Sequence, residues 1–210
     1  MAARGGSAGV ASRVAAPWNH NIHYHRVLLD AVPPHARRAL DVGCGEGLLT
    51  QRLARRVPEV VGIDSHPASI DRARERRAGP NISYLLGDFL DYPFEPESFD
   101  AVLAVAVLHH FDAAAGLERM RRLLRPGGFL GIVGLARSGL ADLPRGLAGA
   151  AASRLLRLRR SWHEPGSPTL PPAETFAAIR RIVGEELPGA RFRRHLLWRY
   201  TVLWRKPGRA

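Results

Sequence analysis

The chain has 210 residues, room for one large domain and little for a second independent core. Its 46% hydrophobic and 24% charged content is that of an ordinary globular protein and excludes collagen, coiled coil and wholesale disorder. Thirty-one Lys and Arg against 19 Asp and Glu give +12, but Lys206 is the only lysine, so this excess of arginine in an alanine-rich chain reads as coding bias as much as a nucleic-acid footprint.

Residues 1–17 are Ala, Gly, Ser and Arg without an apolar h-region, which predicts a disordered tail rather than a secretory signal. Order is expected from Trp18, with a helix over Asn19 to Ala31 stopped by Pro33-Pro34. Strand and helix then alternate. Strands are predicted at Arg38–Val42, Val60–Asp64, Ile82–Leu86, Phe99–Val107 and Phe129–Val133, and helices at Leu48–Arg56, after Pro67 and at Ala113–Leu124. The run Ala101 to Leu108 is continuously apolar, as a strand covered on both faces should be; it is far short of the roughly 20 residues of a membrane span. A basic helix over Leu147 to Arg160, a Pro/Gly/Ser loop over Glu164 to Pro172 and a helix over Ala173 to Glu186 follow. Ala190 to Trp204 has β character and is expected to form two strands turning near Leu197-Trp198. Helices between successive strands imply βαβ units in a doubly wound parallel sheet.

The densest signal is Leu40-Asp41-Val42-Gly43-Cys44-Gly45-Glu46-Gly47, where a strand delivers an acid, three alternate glycines and then a helix. Glycines let the backbone turn sharply and approach a ligand closely. The spacing G-x-G-x-G is not the G-x-G-x-x-G of dinucleotide binding, and a carboxylate at Asp41 would repel a pyrophosphate while suiting an ammonium or sulfonium group. Asp64 ends the second strand seventeen residues past Gly47, and its two acceptor oxygens suit a pair of ribose hydroxyls. Asp88 follows the third strand, placed to accept from an adenine amino group, with Phe89 beside it to pack on the ring. Cys44, the single cysteine, excludes an internal disulfide framework and fits a reducing, cytoplasmic compartment.

On these residues the chain resembles a class I S-adenosylmethionine-dependent methyltransferase, of the small type similar to ubiquinone/menaquinone-pathway and natural-product enzymes. Asp41 to Gly47 resembles the family's first motif, Val61-Gly62-Ile63-Asp64 the second, Gly87-Asp88-Phe89 the third, Phe99-Asp100-Ala101-Val102 the fourth, and Leu123 to Gly128 the segment before strand five. The resemblance implies a Rossmann-like, seven-stranded α/β sheet with an antiparallel last strand and helices on both faces, a single domain over residues 18–206. It implies S-adenosylmethionine as cofactor and S-adenosylhomocysteine as product. Asp41, Gly43, Cys44 and Gly45 would then serve the methionine moiety, Asp64 the ribose, Ser65, Asp88 and Phe89 the adenine, and Ala106 a backbone contact. Ser65 stands where the family often has a bulky apolar residue, a place His66 can take.

A base helps methyl transfer to a hydroxyl or amine, and histidine titrates in the right range. His110 and His109 follow strand four at the mouth where the acceptor is expected. Trp18, His20, Tyr24 and His25 lie on the N-terminal segment over residues 18–32, which in similar enzymes folds over the cofactor as a lid. At helical spacing His20 shares a face with Tyr24, and Asn21 with His25, so the two pairs compete for the inward direction. The H-x-x-H-x-H string matches no common metal site, and no metal is expected. The resemblance also implies that residues 135–172 are the variable segment that shapes the acceptor pocket, and the arginines and leucines over 147–160 suit a membrane surface or an anionic acceptor.

The reading is a cytoplasmic methyltransferase acting on O or N, less often C, of a small-molecule acceptor. The alternatives are an RNA or DNA methyltransferase and a non-catalytic nucleotide-binding protein of the same fold. Against the first, Ala106-Val107-Leu108-His109 is not the Asn/Asp-Pro-Pro-aromatic string of nucleobase amino methylation, so nucleic acid is not the expected partner. Oligomeric state stays open.

Overall fold

The computed structural model describes residues 17–139, 142–164, 166 and 170–209. The tail expected over residues 1–17 lies, but for Pro17, outside them. Six helices and seven strands follow in the order α1 (His20–Ala31), β1 (Arg38–Val42), α2 (Leu48–Leu53), β2 (Glu59–Asp64), α3 (Pro67–Arg76), β3 (Ile82–Leu86), β4 (Phe99–Val105), α4 (Ala113–Leu123), β5 (Leu124–Leu135), α5 (Leu143–Arg159), α6 (Phe176–Glu186), β6 (Arg191–Arg194) and β7 (Arg199–Arg205).

The strands form one sheet in the order β3-β2-β1-β4-β5-β7-β6. The first five are parallel, whereas β7 inserts antiparallel between β5 and β6. Because β1 leads outward to β2 and β3 while β4 leads the other way, the order reverses between β1 and β4. The carboxyl ends of those two strands therefore flank a crevice, where open α/β sheets bind ligands. The register Val42↔Ala104 brings their ends level.

Burial alternates with the pleat. Leu40, Val42, Val102 and Ala104 pack with Leu117, Met120, Ile179 and Val183 from α4 and α6, whereas Ala39, Ala101 and Leu103 pack with Leu28, Leu29, Leu49 and Leu53 from α1 and α2. Helices thus cover both faces, which explains the unbroken apolar run of β4.

Several ends differ from the sequence expectation, each for a local reason. Strand β4 stops at Val105 because Ala106 turns left-handed at φ 55°, and Leu108–His110 then form a single 3-10 turn. Strand β5 starts at Leu124, with a shift of register between Phe99 and Ala101 that absorbs the Pro-Gly-Gly segment. Thr175 caps α6 by accepting from the Ala178 amide at 3.2 Å, so the helix begins at Phe176 rather than Ala173. Helix α5 starts four residues before the expected Leu147. It buries only Gly149 and Ser153 and leaves Leu143, Leu147, Leu155 and Leu158 exposed.

Candidate functional site

The turn after β1 needs its glycines. Gly43 has φ +64°, and a Cβ there would lie 2.5 Å from Cγ2 of Val107, so neither the backbone angle nor the space admits a side chain. Gly47 caps α2 at φ +77°, against the Tyr84 hydroxyl. The turn is tied down from β2: the Cys44 amide donates to the Ile63 carbonyl at 3.0 Å and the Gly45 amide to the Asp64 carboxylate at 2.8 Å. The other oxygen of Asp64 accepts from the His66 amide at 2.9 Å. Asp64 is therefore both a strand-end acid and the brace of the glycine turn.

Asp41, on β1, is 1% exposed. Its carboxylate accepts from the Thr50 hydroxyl at 2.6 Å, and burial pushes its pKa up to about 7, with the nearby Asp64 raising it further and Thr50 opposing. Asp88 is exposed and accepts from the Leu90 amide at 2.8 Å, while Phe89 is buried next to Phe111, ring centroids 5.9 Å apart.

These residues line one end of a cavity of about 780 Å³, in the size range of small-molecule and cofactor sites. Asp41, Gly43, Gly45, Asp64, Ser65, Asp88, Phe89 and Ala106 all contribute to its wall. The other end is basic, formed by His20, Asn21 and His25 of α1, His109 and His110 after β4, Arg157 of α5 and Arg199 of β7.

His20, His25 and His109 are held neutral. Burial and the charges of Arg199 and Arg157 lower His20 to about 4, and burial, His110 and Arg199 lower His109 to about 4. His25 falls to about 3 through burial and the neighbouring Arg52, whose guanidinium lies 3.3 Å from Nδ1. Since Arg52 can only donate, Nδ1 of His25 is the acceptor and its proton sits on Nε2. His20 Nε2 meets the Ser153 hydroxyl at 2.9 Å, tying α1 to α5. His109 Nδ1 is buried without a hydrogen-bond partner among the described residues, whereas His110 is exposed; their rings are 4.3 Å apart.

Three expected site residues face elsewhere. The Cys44 thiol packs toward Gly62 of β2, in a cluster with Ile70 and Tyr84, and burial pushes its pKa well above the usual thiol value. Trp18 is 1% exposed in the core and is clamped by residues 161–163: its amide donates to the Ser161 carbonyl at 3.1 Å and its carbonyl accepts from the His163 amide at 2.8 Å. Tyr24 donates its hydroxyl to the Leu196 carbonyl at 2.6 Å. The competition between the faces of α1 is thus resolved with Tyr24, Leu28 and Leu29 in the core and His20, Asn21 and His25 on the cavity side.

Sequence reading missed two residues. Glu46, inside the glycine turn, pairs with Arg72 Nε at 2.9 Å and lies 3.6 Å from His163 Nε2, fastening the segment after α5 over the turn. Arg72 also donates to the Gly166 carbonyl at 3.0 Å. Arg199 is buried at the start of β7, whose next three residues are buried too; a charged residue leading such a run was the available signal.

The donor set suits a cationic nucleoside: a buried acid beside a glycine turn, then two acids at successive strand ends. The comparisons agree. The family model described as a methyltransferase domain matches residues 39–128. An uncharacterized methyltransferase of Mycobacterium bovis is 39% identical over 196 residues, covering 91% of this chain and 98% of that one. Among solved structures, the fold is similar to the Haemonchus contortus phosphoethanolamine N-methyltransferase 2 complexed with phosphomonomethylethanolamine and S-adenosylhomocysteine (TM-score 0.63, 17% identity, 91% of this chain and 53% of that one). It is likewise similar to the N-methyltransferase NodS of Bradyrhizobium japonicum (TM-score 0.58, 20% identity, 89% and 96%). The chain belongs to the class I S-adenosylmethionine-dependent methyltransferases.

Proposed function

We propose that this enzyme transfers a methyl group to oxygen or nitrogen, less often carbon, of a small organic acceptor bound at the basic end of the cavity. The observation that carries this reading is the cavity itself, which joins the strand-end acids of β1, β2 and β3 to the histidines after β4 in one continuous space. When bound, S-adenosylmethionine supplies an electrophilic methyl on a sulfonium. Asp41 and the turn at Gly43 and Gly45 would hold its methionine end, Asp64 the ribose hydroxyls, Ser65, Asp88 and Phe89 the adenine, and the Ala106 backbone a further contact.

The remaining chemistry is positioning. The acceptor atom must be held in line with the bond that breaks, in a space closed to water. Helix α1 and residues 162–164 and 166 form one wall of it, held by the Trp18 clamp and the Glu46–Arg72 pair. His109 and His110 both line the cavity and are the candidate partners of an acceptor hydroxyl or amine, His109 being neutral near pH 7. The single cysteine fits a cytoplasmic setting, and among the described residues no helix is long and apolar enough to cross a membrane.

Calorimetry with S-adenosylhomocysteine tests the cofactor end. Micromolar affinity is expected, with a loss of about tenfold or more in Asp64→Ala, since each removed charged hydrogen bond is worth roughly 1.5–3 kcal/mol. Affinity unchanged in Asp64→Ala would remove the ribose assignment. A screen of small acceptors read by release of S-adenosylhomocysteine then tests the acceptor class.

A further inference from the structure

We propose that Arg199 is an anion-binding group of the acceptor site and that it selects acceptors carrying a carboxylate or phosphate. This rests on the methyl-transfer reading and names the chemistry of the molecule that enters.

Arg199 opens β7 and is 9% exposed, and that residue forms part of the cavity wall. Its guanidinium is held on two sides by neutral oxygens. Nε donates to the Asn21 side-chain carbonyl of α1 at 2.8 Å, and Nη1 donates to the backbone carbonyls of Leu197 at 3.2 Å and Trp198 at 3.4 Å. Nη2 has no hydrogen bond to a described residue, and no carboxylate among the described residues lies within ion-pair distance of the group.

The acids of the cavity wall are engaged elsewhere. Asp41 takes the Thr50 hydroxyl, Asp64 two amides, Asp88 the Leu90 amide, Glu46 Arg72, and Glu164 the Trp162 indole at 2.5 Å. Burial lowers the pKa of Arg199 only to about 10, so it stays charged near pH 7. An uncompensated buried ion costs several kcal/mol. A protein that keeps one in a cavity wall gains if the ligand brings the counter-ion.

The group is also held by strain. Leu197 and Trp198 both adopt left-handed backbone angles, φ 61° and 56°, which non-glycine residues disfavour. The carbonyls of these two residues are the ones that accept from Nη1. Two consecutive unfavourable residues thus aim the guanidinium, and α1 seats it from the opposite side. Arg199 shares the cavity wall with His20 and His109, so an anion held there lies in the space those histidines line. The cavity is polarised as the two ligands require, acids toward the cationic cofactor and arginine toward an anionic acceptor.

The test uses full-length protein saturated with S-adenosylhomocysteine, titrated at constant ionic strength with acetate, inorganic phosphate and, as neutral match to acetate, acetamide. Binding is followed by NMR at the Arg199 side-chain Nε–H. At least one anion is expected to bind about tenfold or more tightly than acetamide, the acetate and phosphate arms telling carboxylate from phosphate. That preference should vanish in Arg199→Met and survive in part in Arg199→Lys. Equal binding of all three probes, or an anion preference intact in a folded Arg199→Met, overturns the proposal. If Arg199→Met does not fold, the wild-type comparison decides by itself. If S-adenosylhomocysteine fails to bind, the cofactor reading falls separately, and the same titration on the free protein still decides the anion site.

Discussion

Thr50, in the first turn of α2, donates its hydroxyl to the Asp41 carboxylate at 2.6 Å, the one side-chain hydrogen bond described for an acid that burial raises to about 7. Below that pH Asp41 is largely protonated. A ligand ammonium at this end of the cavity favours the ionised form, so binding near pH 6.5 should release a proton and affinity should rise as pH goes from 6 to 8. Thr50→Val removes a donor that favours the carboxylate and should move the rise to higher pH. Asp41→Asn should flatten it. Calorimetry with S-adenosylhomocysteine in buffers of different ionisation heat reads the proton directly, and no proton release in the wild type would detach Asp41 from the ligand.

Stability should also depend on pH through the buried histidines. His20 and His109 have folded values of about 4 and His25 of about 3, all below the usual 6.5. Their contribution is complete above pH 6.5 and is lost as pH falls toward 4, because the unfolded chain takes up protons that the folded one refuses. Asp41 has the opposite sign: raised from 3.8, it favours folding at low pH and loses that contribution as pH rises through 7. His23 and His195 are lowered as well, chiefly by burial, so five histidines against Asp41 give a net fall in the urea midpoint between pH 6.5 and 4. His25→Asn, which keeps an acceptor for Arg52 but does not titrate, should make that fall shallower; an identical profile would show that His25 does not titrate as its burial implies.

The Glu46–Arg72 pair fastens His163 and Gly166 over the glycine turn, and both side chains are shielded, 14% and 27% exposed. Arg72→Ala should therefore loosen this cover. The expected effect is a several-fold faster release of S-adenosylhomocysteine in stopped flow with little change in thermal stability, since a partly exposed ion pair is worth about 1 kcal/mol or less. Unchanged release with lowered stability would make the pair an ordinary structural contact.

Gly43→Ala combines a left-handed backbone with a clash against Val107, and a loss of about 2–4 kcal/mol in urea unfolding is expected. Adding Val107→Gly should recover the part due to the clash and leave the backbone part. Full recovery would mean that the angle at Gly43 carries no strain.

Strands β1 to β4, the glycine turn and the acids at Asp41, Asp64 and Asp88 were readable from the chain alone. Each is a local property: a parallel strand covered on both faces is mostly apolar, a left-handed turn with no room for a Cβ takes glycine, and an acid at a strand end needs no distant partner to be recognised. The direction of α1 was not readable: spacing pairs His20 with Tyr24 and Asn21 with His25 and gives both pairs equal claims, whereas the packing of Tyr24, Leu28 and Leu29 against the sheet separates the first pair and leaves His20 on the cavity with Asn21 and His25. The same holds for Arg199 and Asn21, 178 positions apart and joined at 2.8 Å, and for Glu46 fastened to Arg72. A periodic pattern says which residues share a face, but what that face meets is set by contacts between segments remote in the chain, and there the sheet order decided which side chains enclose the cavity.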